Sequence, residues 1–243
     1  MNSEESTGEP QHVRQMFARI ATRYDFLNRL MTFGRDQSWR RRTLQGMCLQ
    51  NPKRLLDVGA GTGFLSDAAL KQHPESHLIA CDFSPEMIAI GKARLQGQPV
   101  EWILADAHRL PFKNNCFDGV FSGFLLRNAQ GVQRALEEQH RVTSKSGAMA
   151  CLETTPPPKN LLEPLLRFHL QRVIPLLGRL FAGNAPAYRY LSNSTQDFLD
   201  PCSLAEKMRR AGYEKITFLR AMFGTIVILW GRKSSPSVQE YNL

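Results

Sequence analysis

The sequence predicts an α/β fold: an open, mostly parallel sheet with crossover helices and a terminal antiparallel strand, together with N-terminal helices and a helical insertion late in the chain. Three observations carry that prediction. Strand-like and helix-like segments alternate from residue 53 to residue 154, the rhythm of parallel strands joined by crossover helices. The first strand runs directly into a glycine-rich turn, LLDVGAGTGF at residues 55–64. After Thr155 the run PPP breaks the rhythm, because proline cannot continue a central strand, and an apolar stretch dotted with arginines follows.

Each element has its own signal. Val13, Met16, Phe17, Ile20, Tyr24, Leu27 and Leu30 recur at helical spacing, which predicts an amphipathic helix or a broken pair ahead of the sheet. KRLLDVG, HLIACDF, VEWILAD, CFDGVFSG and GAMACLET read as five strands. Between them fall a helix after Gly63, a helix opened by Ser84 and Pro85, and a helix through QRALEEQHRV. NLLEPLLRFHLQRVIPLLGRLF, interrupted by Arg167, His169, Arg172 and Arg179, is too polar to cross a bilayer and suits a helical cap. Asp200 and Pro201 read as the N-cap and first-turn proline of a short helix ending near Gly212, and YEKITFLRA and GTIVILWGR as a hairpin closing the sheet at one edge. The 243 residues thus divide into a disordered tail (1–12), a helical accessory segment (13–50), an α/β core (51–155), a cap (156–200), a helix and hairpin completing the core (201–233) and a second tail (234–243). That length suits one domain with modest additions.

The formal charge of +9 invites an anionic partner, either nucleic acid or a membrane surface. Part of the excess is local, in GRDQSWRRR, where Arg35, Arg40, Arg41 and Arg42 surround Trp39 and form a basic site or simply a solvated helix face. Five cysteines stand widely apart, with no metal-ligand spacing, so core thiols in a reducing cytoplasm are expected and a metal is not. The polar, acidic N-terminus lacks the basic and apolar regions of a secretory signal.

The glycine turn narrows the ligand. A dinucleotide fingerprint needs G-x-G-x-x-G, but Gly59, Gly61 and Gly63 fall on G-x-G-x-G, and Phe64 takes the place of the last glycine. No Gly-Lys-Ser/Thr follows, as a phosphate-binding loop requires. A nucleoside without a diphosphate remains, of which S-adenosylmethionine is the commonest example. Ligands of open parallel sheets bind outside the carboxyl ends of the strands, where Asp57, Gly59, Gly61, Thr62 and Gly63 fall after the first strand. Asp82 and Phe83 follow the second, about 20 residues beyond the turn, the distance at which a carboxylate accepts hydrogen bonds from ribose hydroxyls. Asp106 and Ala107 follow the third strand and would meet the adenine, and Gly123 ends the fourth.

LLDVGAGTGF, CDFSPEM, ADAHRLPF and FDGVFS resemble the successive motifs of class I methyltransferases that use S-adenosylmethionine, and with them their Rossmann-like sheet. RYDFLNRLMTFGRDQSW, FLLRN, RVTSKSGAMACLETT and YRYLSNS resemble the ubiquinone/menaquinone biosynthesis C-methyltransferase family in particular, from about Val13 to Arg232. Thr32, Asp36, Leu125 and Ser144-Lys145-Ser146 depart from that family's usual serine, histidine, glycine and lysine-proline-glycine.

The resemblance implies methylation of a ring carbon of a prenylated quinol, demethylmenaquinol being favoured over a benzoquinol. Such a carbon becomes nucleophilic when a ring hydroxyl loses its proton, and a phenolic hydroxyl titrates near 10, so a cation beside the phenolate is needed. Arg127, expected to face the crevice from the end of the fourth strand, fits that role, with Asn128 beside it as a hydrogen-bonding group and Tyr24 descending from the N-terminal helix to orient the acceptor. Arg127 has a structural alternative, pairing with a carboxylate, and Asn128 another, capping a helix. The family implies a cytoplasmic protein at the inner face of the membrane in contact with anionic lipid, and allows a homodimer. An RNA methyltransferase would explain the charge, but the fourth strand lacks the Asn/Asp-Pro-Pro-aromatic motif that holds a flipped base and no RNA-binding module is appended, so no nucleic acid is expected. Another small-molecule methyltransferase, or a relative that binds the cofactor without turnover, stays open.

Overall fold

The computed structural model describes residue 32, residues 34–177, residue 190 and residues 193–234. The amphipathic helix expected from Val13, with Tyr24, and the two tails lie outside the described residues, as does Arg179. In chain order the elements are α1 (Asp36–Gln45), β1 (Arg54–Val58), α2 (Phe64–Gln72), β2 (His77–Asp82), α3 (Pro85–Arg94), β3 (Val100–Leu104), β4 (Phe117–Gly123), α4 (Val132–Val142), β5 (Thr143–Thr154), α5 (Glu163–Phe168), α6 (Ile174–Leu177), α7 (Pro201–Arg210), β6 (Tyr213–Ala221) and β7 (Ile226–Lys233). A 3-10 turn at Leu126–Asn128 follows β4.

The seven strands form one sheet in the order β3-β2-β1-β4-β5-β7-β6. β1 to β5 are parallel, and β7 runs antiparallel to both of its neighbours. The expected hairpin is present, but it is the last strand that pairs with the core: β7 slots between β5 and β6 and leaves β6 at the edge. β1 and β2 are buried at every position after the first, the continuous apolar run of strands covered on both faces. Leu55, Leu78, Phe121 and Ala150 pack on one face with Leu44 of α1 and Leu65 of α2. On the other, Met149, Cys151 and Leu229 pack with Leu136 of α4 and with Leu204 and Met208 of α7.

Local chemistry places the helix ends as expected. Ser84 caps α3, its hydroxyl accepting the Met87 N–H at 3.3 Å, and Asp200 caps α7 by accepting the N–H groups of Cys202 and Ser203 at 2.9 and 3.2 Å. The RRR stretch divides: Arg41 and Arg42 are exposed, whereas Trp39 and Arg40 are buried. The solvated-face reading therefore holds for Arg35, Arg41 and Arg42 but not for Arg40.

Gly91 on α3 answers to packing rather than to backbone freedom, since a Cβ there would lie 2.1 Å from the Trp102 ring on β3. Gly91→Ala, which helix propensity alone would favour by about 1 kcal/mol, is therefore expected to destabilise the protein by about 1–3 kcal/mol through overpacking. A higher midpoint in thermal or urea unfolding would contradict this packing.

Candidate active site

The sheet reverses its order at β1, whose neighbours β2 and β4 carry the chain to opposite sides, and a crevice opens at the carboxyl ends of these strands. The glycine turn makes its floor. Gly59, Gly61 and Gly63 adopt φ of 69°, 55° and 83°, a region that glycine enters without steric cost. At Gly59 a Cβ would also approach Leu125 Cδ1 to 2.7 Å. The turn is tied to β2, with the N–H groups of Gly59 and Ala60 donating to the Cys81 carbonyl at 2.8 and 2.9 Å. Gly63 is absent from the crevice lining and instead caps α2.

Three carboxylates differ in their state. Asp57 is wholly buried; the Ser66 hydroxyl donates to its Oδ2 at 2.7 Å, while Oδ1 has no partner among the described residues. Burial pushes its carboxyl up to about 7, against the lowering effect of Ser66. Asp82 accepts the Gly61 N–H at 2.8 Å and the Ser84 N–H at 2.9 Å, and burial raises its pKa against those two donors. An ionised carboxylate offers about four acceptor sites, so these bonds leave room for hydroxyls of a ligand. Asp106 stands in an adjoining lobe with Phe83, Ala107 and Asn128. There it accepts the backbone N–H of His108 at 2.9 Å and meets the His108 ring Nδ1 at 2.7 Å. His108 is thus the partner of an expected site residue and part of the lobe wall.

Thr62 and Gly123 line the crevice beside Asp57 and Asp82, and Asn128 lines both lobes. Asn128 is not a helix cap: its Nδ2 donates to the Phe124 carbonyl at 2.9 Å, and its buried Oδ1 has no partner among the described residues. A buried acceptor without a donor is costly, so it suits a hydroxyl or amine brought by a ligand.

Arg127 departs from expectation. It is absent from the crevice lining; its side chain is buried, with Nη1 3.5 Å from Glu153 Oε2 and 3.4 Å from the Thr154 hydroxyl. The turn explains this, because Glu153 Oε1 also accepts the Leu126 N–H at 2.5 Å and anchors the segment against the end of β5, where Arg127 meets Glu153 and Thr154. Burial raises Glu153 to about 7, and the Arg127 charge opposes that rise. The cluster reaches the cap: Thr154 shares a hydrogen bond of 3.0 Å with Thr195, and the Arg127 charge is felt at Tyr190, whose phenol burial pushes upward.

A further residue, Arg40, was legible only as one of several arginines. It lines the crevice from α1 and is 8% exposed.

A glycine turn at the switch point, acids at the ends of β1, β2 and β3, and one reversed strand together define a class I S-adenosylmethionine-dependent methyltransferase. The chain matches the ubiE/COQ5 methyltransferase family over residues 4–233, and it belongs to that family. It is 40% identical over 221 residues to the ubiquinone/menaquinone biosynthesis C-methyltransferase UbiE of Desulfotalea psychrophila, covering 91% of this chain and 90% of that one. It is 42% identical over 209 residues to a demethylmenaquinone methyltransferase of Thermus thermophilus, covering 84% and 95%. Among solved structures, a SAM-dependent methyltransferase of Thermotoga maritima superimposes with a TM-score of 0.66 at 17% identity, over 90% of this chain and 99% of that one, a likeness of fold.

Proposed function

We propose that this methyltransferase transfers the methyl group of S-adenosylmethionine to a ring carbon of a prenylated quinol, with demethylmenaquinol as the favoured acceptor. The observation that carries the proposal is the crevice itself: Asp57 and Asn128, each with a buried acceptor atom that has no partner among the described residues, line it together with Asp82, in a family whose relatives include demethylmenaquinone methyltransferases at 42% and 36% identity. Asp82 would hold the ribose hydroxyls, the lobe of Asp106 and Ala107 the adenine, and Asp57 the ammonium. The cofactor supplies an electrophilic methyl on a sulfonium, which is its own leaving group. The protein's part is to position the acceptor and to stabilise charge on its oxygen. Asn128 lines the crevice, whereas Arg127 lies behind the Leu126–Asn128 turn against Glu153 and Thr154, so a ring seated between cofactor and cap would meet Asn128 directly and Arg127 through its charge, which also reaches Tyr190.

Asp82→Ala is expected to weaken S-adenosylmethionine binding roughly ten- to a hundredfold, the loss of a charge-assisted contact. Calorimetry on a folded variant with unchanged affinity would refute the assignment of this crevice.

Asp57 gives a pH dependence. Its carboxyl keeps a proton below about 7 and must release it to receive a cation. Affinity is therefore expected to rise from pH 6 to pH 8, by at most about tenfold per pH unit for one proton, and Asp57→Asn should flatten the profile. A wild-type affinity that falls over this range would contradict the role.

Among the described residues no helix is long and apolar enough to cross a membrane. The cap nevertheless exposes Leu161, Leu162, Leu165 and Phe168 beside Arg167 and Arg172. We read this face as the contact with an anionic membrane, the source of a prenylated acceptor. Binding to anionic vesicles in a flotation assay is expected to weaken with salt. Protein that stays at the bottom at low salt would count against it.

A further inference from the structure

The crevice wall contains one Lys or Arg side chain among the described residues, Arg40. It comes from α1, outside the glycine turn and the strand ends. Asp36, one helical turn earlier, places its Oδ2 3.2 Å from Arg40 Nη1. Below, the guanidinium stacks over the Phe64 ring at 4.6 Å from its centroid. Arg94, 3.7 Å from the same centroid and donating to the Thr62 carbonyl at 2.8 Å, fixes that ring to the turn. Phe64 thus stands where a dinucleotide site would place a glycine, and provides the surface on which a buried cation rests.

The surrounding charge makes the position informative. Asp57 and Asp82 supply negative charge to the same crevice, which suits the cationic sulfonium and ammonium of S-adenosylmethionine and opposes its carboxylate. A carboxylate in this setting needs a cation, and a guanidinium, with five N–H donors in a fixed fork, can serve several acceptors at once. Arg40 is close enough for its charge to lower the Asp57 carboxyl. The two side chains therefore stand as neighbouring sites for the two ends of an amino-acid zwitterion.

We infer that Arg40, held by Asp36 and Phe64, binds the methionine carboxylate of the cofactor and selects ligands that carry it. The inference rests on the S-adenosylmethionine reading above. It also ties cofactor binding to the docking of α1 on the core.

The test compares S-adenosylmethionine with decarboxylated S-adenosylmethionine, which lacks the carboxylate alone, by calorimetry on wild type and on Arg40→Met, with folding checked by circular dichroism. Because Arg40→Met leaves the buried Asp36 without this partner, the Asp36→Asn/Arg40→Met double variant is measured alongside, and Arg40→Lys tests retention of charge. Wild type is expected to prefer S-adenosylmethionine by roughly ten- to a hundredfold, the strength of one charge-assisted contact. Both Met variants should lose that preference and bind the decarboxylated ligand as wild type does, with Arg40→Lys in between. Equal weakening of both ligands, or a preference that survives in the Met variants, would overturn the role of Arg40 while leaving the cofactor reading intact. A wild type that binds neither ligand would overturn that reading and the inference with it.

Discussion

On its proposed role as the cation that stabilises the acceptor oxyanion, Arg127→Ala is expected to lower turnover by about a hundredfold or more, while S-adenosylmethionine affinity stays close to wild type because Arg127 does not line the crevice. The variant should also lose stability. Arg127 and Glu153 are a buried pair, 5% and 0% exposed at their side chains, and removing one partner of such a pair typically costs about 3–5 kcal/mol. Here the loss is softened, because the Glu153 carboxyl already lies at about 7 and the orphaned acid can take up a proton near neutrality. Arg127→Ala/Glu153→Gln separates the two effects. The neutral amide should recover much of the stability but none of the turnover. Turnover restored per folded molecule in the double variant would show Arg127 to be only a structural partner of Glu153.

The second large effect concerns the acceptor's redox state. A quinone ring is electron-poor and offers no nucleophilic carbon to an electrophilic methyl group, whereas a quinol oxygen that has lost its proton pushes charge onto the neighbouring carbon. Activity is therefore expected with the reduced acceptor and to vanish with the same compound kept oxidised. Cofactor affinity, set by the crevice around Asp57 and Asp82, should not change with that redox state.

Most of the sheet was legible because its signals are local. The alternation of apolar runs with helix caps located β1 to β5, and Ser84-Pro85 and Asp200-Pro201 marked two helix starts that the structure keeps. The glycine turn and the acids at the strand ends were legible for the same reason, since a ligand at the switch point needs small residues and carboxylates at fixed places along the chain. What the sequence hid depends on which distant segments become neighbours. Arg127 meets its carboxylate only because β4 and β5 lie side by side, and nothing within the run FLLRN announces Glu153. Arg40 resembles Arg41 and Arg42 until α1 packs against α2 and brings Phe64 beneath it. The hairpin was visible as two strands, but its order in the sheet follows from β7 offering an apolar, fully buried run at Ile226–Leu229, while β6 exposes most of its residues and so takes the edge. Tyr24 lies outside the described residues.

Carbon methylation of a reduced quinone ring leaves a product that identifies itself. Purified protein is given labelled S-adenosylmethionine with demethylmenaquinol kept reduced, with the same compound kept oxidised, with a benzoquinol analogue and with total RNA, and the products are identified by mass spectrometry. Label is expected on a ring carbon of the reduced naphthoquinol, with little or none on the oxidised form and none in RNA. Equal transfer to both redox forms, label on an oxygen, or label in RNA would contradict that chemistry.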